Sequence, residues 1–222
     1  MNPWEKLPID TYENHMSLSQ VAQLQTLNRI MKSQWAAHPN ASSVAVLGIA
    51  GGNGLEHCGE SVRKVYGIDI NQSYLERCAQ RFEPILGGRL RLLQMDVMQP
   101  EAELPQVDLL IADLVIEYVG VENFCAKAAQ ARIGYISCVI QSSSQNFVSE
   151  SPYQDQFREI SELHRDVDEQ TLTYALLKRG YVLVCREAVA LPNGKRFIRL
   201  DYKARQTGPG KKKAIIQNED FV

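Results

Sequence analysis

The residues whose types and spacing carry the clearest chemical meaning lie between positions 44 and 70. V-A-V-L over 44–47 reads as a buried strand and breaks into G-I-A-G-G-N-G over 48–54. Gly48, Gly51, Gly52 and Gly54 free the backbone to turn, and Ala50 adds only a methyl group, so a ligand can approach the main chain closely around Asn53 and its neighbours. Residues 55–58 read as the opening of a helix. Its free N–H groups and partial positive charge would suit a carboxylate or a phosphate. A second strand, R-K-V-Y-G-I-D-I over 63–70, carries Asp69 and Ile70 at its end. An acid about 20 residues past the first glycine is where nucleotide-binding α/β folds grip a ribose. Its carboxylate can accept from both ribose hydroxyls. Either feature alone is commonplace, and the pairing makes them informative.

Two more acids close strand-like runs. Asp96, followed by Val97, ends R-L-R-L-L-Q-M over 89–95, and Asp113 ends V-D-L-L-I-A over 107–112. Asp96 is placed to accept from an adenine amino group, or to start a loop or cap a helix. Three further groups could take a proton on the site side: Glu117, four residues past Asp113, and Tyr12 and His15 in Y-E-N-H-M over 12–16. Each reads equally as a structural or substrate-orienting residue, with Tyr12 a packed aromatic and His15 a surface imidazole.

The elements that must position these groups follow from hydrophobic period and punctuation. Residues 1–10 begin irregular. Residues 17–35 read as one amphipathic covering helix capped by Ser17, with Val21, Leu24, Leu27, Ile30 and Met31 near helical spacing. Residues 71–82 form the helix after the second strand, capped by Asn71 and broken by Pro84 and Gly87-Gly88. The run at 107–112 is the most apolar and should be central. A helix over 120–131, a fifth strand over 133–140 and a helix over 157–179, split around 165–168 with Asp168 as a cap, complete the alternation. Strands at 181–190 and 196–203 flank Pro192-Asn193-Gly194, a hairpin signature. Five alternations of strand and helix followed by a hairpin predict an α/β, Rossmann-like, doubly wound sheet, mainly parallel with an antiparallel C-terminal hairpin. The glycine turn, Asp69, Asp96 and Asp113 then converge on one rim, at the C-terminal strand ends where such sheets bind ligands. The polar loop over 141–153 is long enough to form a lid.

The chain reads as one domain over 1–204, with 1–40 a helical cover and 205–222 a mobile tail whose three lysines solvate it. Its 222 residues suffice for a full α/β core. A formal charge of −2 provides no general pull toward nucleic acid or an anionic membrane. Cys58, Cys78, Cys125, Cys138 and Cys185 are widely spaced, which argues against a zinc site or a secreted disulfide framework and for reduced thiols in the cytoplasm. No apolar signal core and no membrane-length run is present in the sequence.

L-G-I-A-G-G-N-G (47–54), Y-G-I-D-I (66–70) and D-L-L-I-A-D-L-V-I-E-Y-V (108–119), set in this order of strands, resemble the class I S-adenosylmethionine-dependent methyltransferases over residues 44–203. The resemblance implies that the glycine turn holds the methionyl part of the cofactor, that Asp69 binds the ribose, that Asp96 meets the adenine with Val97 beside the ring, and that residues 113–118 line the sulfonium and the acceptor. Two positions depart from the family pattern. Gly48 stands where the family usually has an acid that orders the loop or meets the methionyl amine, which shifts weight to backbone carbonyls, and Ala50 stands where it has a glycine. The chain has no N-P-P-Y or D-P-P-Y after the fourth strand and no metal set of the catechol type. The activity implied is therefore methyl transfer to an oxygen, nitrogen or sulfur of a small molecule, with no metal and no nucleic-acid or membrane partner, and with oligomeric state open to a homodimer. A nicotinamide-dependent oxidoreductase is the first alternative, although G-x-G-x-x-G fails at Ala50 and Asn53 from Gly48, and at His57 from Gly52. A non-catalytic S-adenosylmethionine-binding module is the second.

Overall fold

The computed structural model describes residues 2–142 and 148–205. Three helices come first: α1 (Pro3–Lys6), α2 (Ile9–Ser17) and α3 (Gln23–Ala37). β1 (Ser43–Leu47), β2 (Lys64–Asp69), α4 (Gln72–Leu86), β3 (Leu90–Gln94) and β4 (Leu109–Asp113) follow. The rest comprises α5 (Ile116–Val119), α6 (Val121–Gln130), β5 (Tyr135–Ser142), α7 (Arg158–Leu163), α8 (Glu169–Lys178), β6 (Tyr181–Ala190) and β7 (Arg196–Ala204).

The seven strands form a single sheet in the order β3-β2-β1-β4-β5-β7-β6. The first five are parallel, and β7 inserts antiparallel between β5 and β6. The predicted doubly wound sheet with an antiparallel finish is therefore present, and the apolar run ending at Asp113 occupies its middle strand. Alternation along β1 divides the core. Val44 and Val46 face a layer containing Met31 and Trp35 of α3 and Leu75, Cys78 and Phe82 of α4. Ala45 and Leu47 face the opposite layer, with Phe124 and Cys125 of α6 and Leu172 and Leu176 of α8. Asn71 caps α4 by accepting from the backbone N–H groups of Ser73 and Tyr74, and Asp168 caps α8 by accepting from Thr171, both as the sequence predicts.

Four local expectations are corrected. Residues 55–58 open no α-helix. Leu55–His57 is a single tight turn, because only nine residues separate Gly54 from β2 and Gly59 lies among them. Helix therefore does not alternate with strand five times: among the described residues none spans β1 to β2 or β3 to β4, and α3 covers the face that a helix after β1 would cover. The covering helix predicted over 17–35 starts later, at Gln23: Ser17 ends α2 instead of capping α3, Ala22 holds a left-handed conformation at the bend between them (φ 50°), and Val21 is buried inside the corner. Where an irregular start was expected over 1–10, the described residues 2–10 are largely helical. Asn2 accepts from the Trp4 N–H and Pro3 holds the first turn, so Asn-Pro-x-Glu at positions 2–5 was a readable helix start. Finally, α4 runs through Pro84 to Leu86, since Phe82 and Leu86 are buried on the last turn and hold it to the core.

The possible lid over 141–153 lies partly outside the described residues, at 143–147. The tail from 206 onward is outside them altogether. Among the described residues no helix is long and apolar enough to cross a membrane.

Candidate cofactor cleft

The C-terminal ends of β1, β2, β3 and β4 open into a cleft with about 770 Å³ of empty space, its open mouth included. Asp69, Ile70, Asp96, Val97, Gly48, Ala50 and Asp113 all line it. A second lobe of about 510 Å³ lies on the far side of the glycine turn. It shares Tyr12, Leu47, Gly48, Ala50 and Asp113 with the first lobe, and Glu13, Gly51 and Asn53 line it as well.

Backbone donors fix the acid of the first lobe. One Asp69 carboxylate oxygen accepts from the Ala50 N–H and the other from the Asn71 N–H, each at 2.9 Å. The glycine turn and the start of α4 are thus tied to one carboxylate, which lines the cleft and has lone pairs left to accept from a ligand. Burial raises the Asp69 carboxyl above the usual range, and the N–H groups of Asn71, Ala50 and Ile70 oppose the rise. Asp96 accepts from the Met98 N–H (2.9 Å) and the Gln99 side-chain amide (2.8 Å), so it orders its own loop while facing the cleft. Ile70, Val97, Met95 and Met98 give this lobe apolar walls suited to a flat ring.

The turn residues divide by role. Gly48 (φ 71°) and Ala50 (φ 46°) both hold left-handed backbone at the junction of the lobes. Gly52 and Gly54 line neither lobe. A Cβ on Gly52 would fall 2.7 Å from the Phe82 ring, and one on Gly54 would fall 2.5 Å from the Met31 sulfur, so these glycines admit core side chains rather than a ligand.

The sequence left Trp4 and Tyr74 unassigned, and both line the first lobe beside Tyr118, the end of the 113–118 segment. Trp4 meets Tyr118 edge-on at 4.9 Å and Tyr12 at 6.1 Å, roofing the cleft with aromatic rings. Asn71 holds that roof by donating to the Trp4 carbonyl (2.8 Å) and the Leu7 carbonyl (3.3 Å). The Trp4 indole N–H and the Tyr74 hydroxyl are buried without a hydrogen-bond partner among the described residues. Buried donors of that kind suit a ligand that brings acceptors.

No protein-family model matches the sequence, and no curated protein shows significant similarity to it. Solved structures do match. The magnesium protoporphyrin IX methyltransferase ChlM from Synechocystis PCC 6803, with bound SAH, superposes at a TM-score of 0.67 with 13% identity, over 91% of this chain and 96% of that chain. A geranyl diphosphate methyltransferase in complex with GPP and sinefungin gives 0.61 and 11% identity, over 82% and 81%. The [4+2]-cyclase SpnF gives 0.62 and 11%, over 81% and 82%.

The fold is that of the S-adenosylmethionine-dependent methyltransferases.

A methyltransferase fold that also carries a cyclase does not by itself name a reaction, so the chemistry has to come from the cleft. Asp113 stands where the two lobes meet. It accepts from the Gln34 side-chain amide (2.9 Å), and burial pushes its carboxyl up to about 7. Tyr12 lines both lobes, and burial, with Asp69 nearby, raises its phenol well above the usual range, so it stays protonated. Glu117 and His15 line neither lobe. Glu117 is fully buried, accepts from the Gln141 N–H (2.9 Å) with one oxygen, and has no partner for the other among the described residues; burial pushes its carboxyl up to about 7. His15 is not a surface imidazole. It is buried against the Phe157 ring (4.5 Å), with Nδ1 2.7 Å from the Ser151 hydroxyl. Burial, then Lys195, lowers its pKa to about 4, so it is neutral at pH 7. Among the described residues no cluster of side chains could hold a metal ion. All five cysteines are free thiols.

Proposed function

We propose that this chain binds S-adenosylmethionine in the two-lobed cleft and transfers its methyl group to an oxygen, nitrogen or sulfur of a small molecule. One observation carries the reading: among the described residues, the side chains lining the two lobes include Asp69, Asp96, Asp113 and Glu13 but no lysine, arginine or histidine. An acid-lined cleft repels a pyrophosphate and suits a ligand bearing a sulfonium and an ammonium. The nicotinamide alternative loses further support because the glycine turn leads into a single tight turn, leaving no α-helix N-terminus to receive a phosphate.

The residues present fit the cofactor. Asp69 takes the ribose hydroxyls on its free lone pairs, and Asp96 with Ile70, Val97 and Met98 takes the adenine. Gly48, Ala50, Gly51 and Asn53 border the methionyl end. When bound, the cofactor supplies an already activated methyl group, so the protein contributes chiefly proximity, alignment and exclusion of water. Trp4, Tyr12 and Tyr118 exclude water from above. Asp113, poised near neutrality at the junction, is the cleft-lining group best matched to accept a proton from the acceptor. The Tyr12 phenol donates and orients. Glu117 and His15, set back from the cleft, are structural. Five free thiols support a cytoplasmic location. The acceptor is a small molecule that enters beside Leu114, Val115 and Tyr118. Nucleic acid is not a partner of this acidic cleft, and a homodimer is compatible with the arrangement.

Calorimetric titration tests the reading. S-adenosylmethionine and S-adenosylhomocysteine are expected to bind at one saturable site and NAD not at all. Saturable NAD binding without S-adenosylhomocysteine binding would overturn the proposal.

A further inference from the structure

The glycine turn lacks an acidic side chain at Gly48, yet the second lobe is not short of acid. Helix α2, which precedes the turn in sequence by more than thirty residues, lays Glu13 against it. A Cβ on Gly51 would fall 2.5 Å from Glu13 Oε1 and 2.7 Å from Arg81 Nη1, so the carboxylate and the guanidinium occupy the space that a side chain there would need. Arg81 grips Glu13 with two parallel bonds, Nη1 to Oε1 at 2.6 Å and Nη2 to Oε2 at 2.8 Å, and Nη1 also donates to the Gly51 carbonyl at 3.3 Å. The pair has a direction. Glu13 borders the lobe and has 18% of its side chain exposed, whereas Arg81 borders neither lobe and has 38% exposed.

Building on the cofactor reading above, we infer that Glu13 receives the α-ammonium of the methionyl group, replacing from helix α2 the acid that the turn itself lacks, and that Arg81 is the positioning residue that holds Glu13 over Gly51. Each Glu13 oxygen accepts one bond from Arg81 and keeps a lone pair for a second donor. The bidentate grip fixes the carboxylate in a single orientation, so little side-chain entropy remains to be lost when an ammonium docks. The outward guanidinium leaves the negative end of the pair facing the lobe. Asp113 also lines this lobe and adds a second acid to it.

The test is a binding cycle that needs no turnover. S-adenosylhomocysteine and its 2-oxo analogue, in which a ketone replaces the α-amine, are titrated into wild-type protein, Glu13→Gln and Arg81→Met. Wild-type protein is expected to prefer the amine by at least about tenfold, the size of a charged hydrogen bond. Glu13→Gln is expected to lose that preference while binding the 2-oxo analogue as wild type does. Arg81→Met keeps the carboxylate and is expected to retain part of the preference. The inference is overturned if Glu13→Gln keeps the full preference, or if it weakens both ligands equally and Arg81→Met does the same, since the pair would then be only a latch for α2. The wild-type measurement alone also decides: equal affinity for the two ligands refutes an ammonium receptor without any variant. Wild-type protein that binds neither ligand would instead bring down the cofactor reading, and Glu13 with it.

Discussion

The two lobes of the cleft hold their acids by different means. In the first lobe, Asp69 is gripped by two backbone N–H groups, from Ala50 and Asn71, and Asp96 by the Met98 N–H with the Gln99 side-chain amide. In the second lobe, Glu13 is held by the Arg81 side chain, and Asp113, where the lobes meet, by the Gln34 side chain. The main-chain donors lie in the turns that leave the strands, within four residues of the sheet, so the first lobe is largely preorganised. Side-chain donors move with the helices that carry them, so the geometry of the second lobe depends on how α2, α3 and α4 pack together. The lobe expected to recognise a constant nucleoside is thus rigid, and the lobe next to the reacting centre can adjust.

The contrast makes the largest effect fall on Asp69. Asp69→Ala strips acceptors from two N–H groups at once and should lower stability by about 3 kcal/mol in urea titration. It should also weaken S-adenosylhomocysteine by roughly a hundredfold, read by calorimetry. Unchanged affinity would remove the rigid lobe from the site.

Glu117, behind the junction, extends the comparison, since a single N–H holds it where two hold Asp69. Its pKa is raised from 4.5 to about 7, so the folded protein retains a proton that the unfolded chain has released. Its contribution to stability therefore falls as pH rises from 4.5 to about 7 and stays low above that. Glu117→Gln should abolish this loss, gaining on the order of 3 kcal/mol at pH 8 and nothing at pH 4. Melting temperatures across that range check it, and a pH-independent difference would contradict it.

A smaller effect is expected at Gly51, which carries no left-handed strain and is constrained only by what sits over it. Gly51→Ala drives a methyl into the Glu13–Arg81 pair and should weaken S-adenosylhomocysteine by about tenfold with little change in stability. Equal losses in binding and folding would show the second lobe to be as rigid as the first.

The smallest effect comes from Asp113. Ionisation near pH 7 favours a sulfonium over a neutral thioether, so the preference for S-adenosylmethionine over S-adenosylhomocysteine should rise a few-fold as pH passes through about 7. In Asp113→Asn the ratio should be flat.

The same division explains what the sequence revealed. Asp69, Asn71 and Asp96 sit at the ends of consecutive strands, where period and punctuation fix position, and all of them were legible. Glu13 was not, because its place depends on how α2 lies across the strand ends, and no local pattern encodes that. The absent helix after Gly54 had a visible cause, a linker too short and interrupted by Gly59, but Leu55 still read as a helix start because each residue there tolerates one turn. Trp4 was missed although Asn2, Pro3 and Glu5 spell a cap, since four residues give no hydrophobic period. Pro84 read as a terminator, and burial of Phe82 and Leu86 overrode it.

The position of α3 also bears on how the chain is made. Its Met31 and Trp35 shield the β1 face that a later helix would otherwise cover, so the shield leaves the ribosome before the strand it protects. Val44 and Val46 emerge to find their apolar partners already synthesised a few residues upstream, a short-range encounter in a sheet whose strand pairings are otherwise slow and distant. Excising the first forty residues would accordingly expose the oldest strand of the nascent sheet rather than trim an accessory.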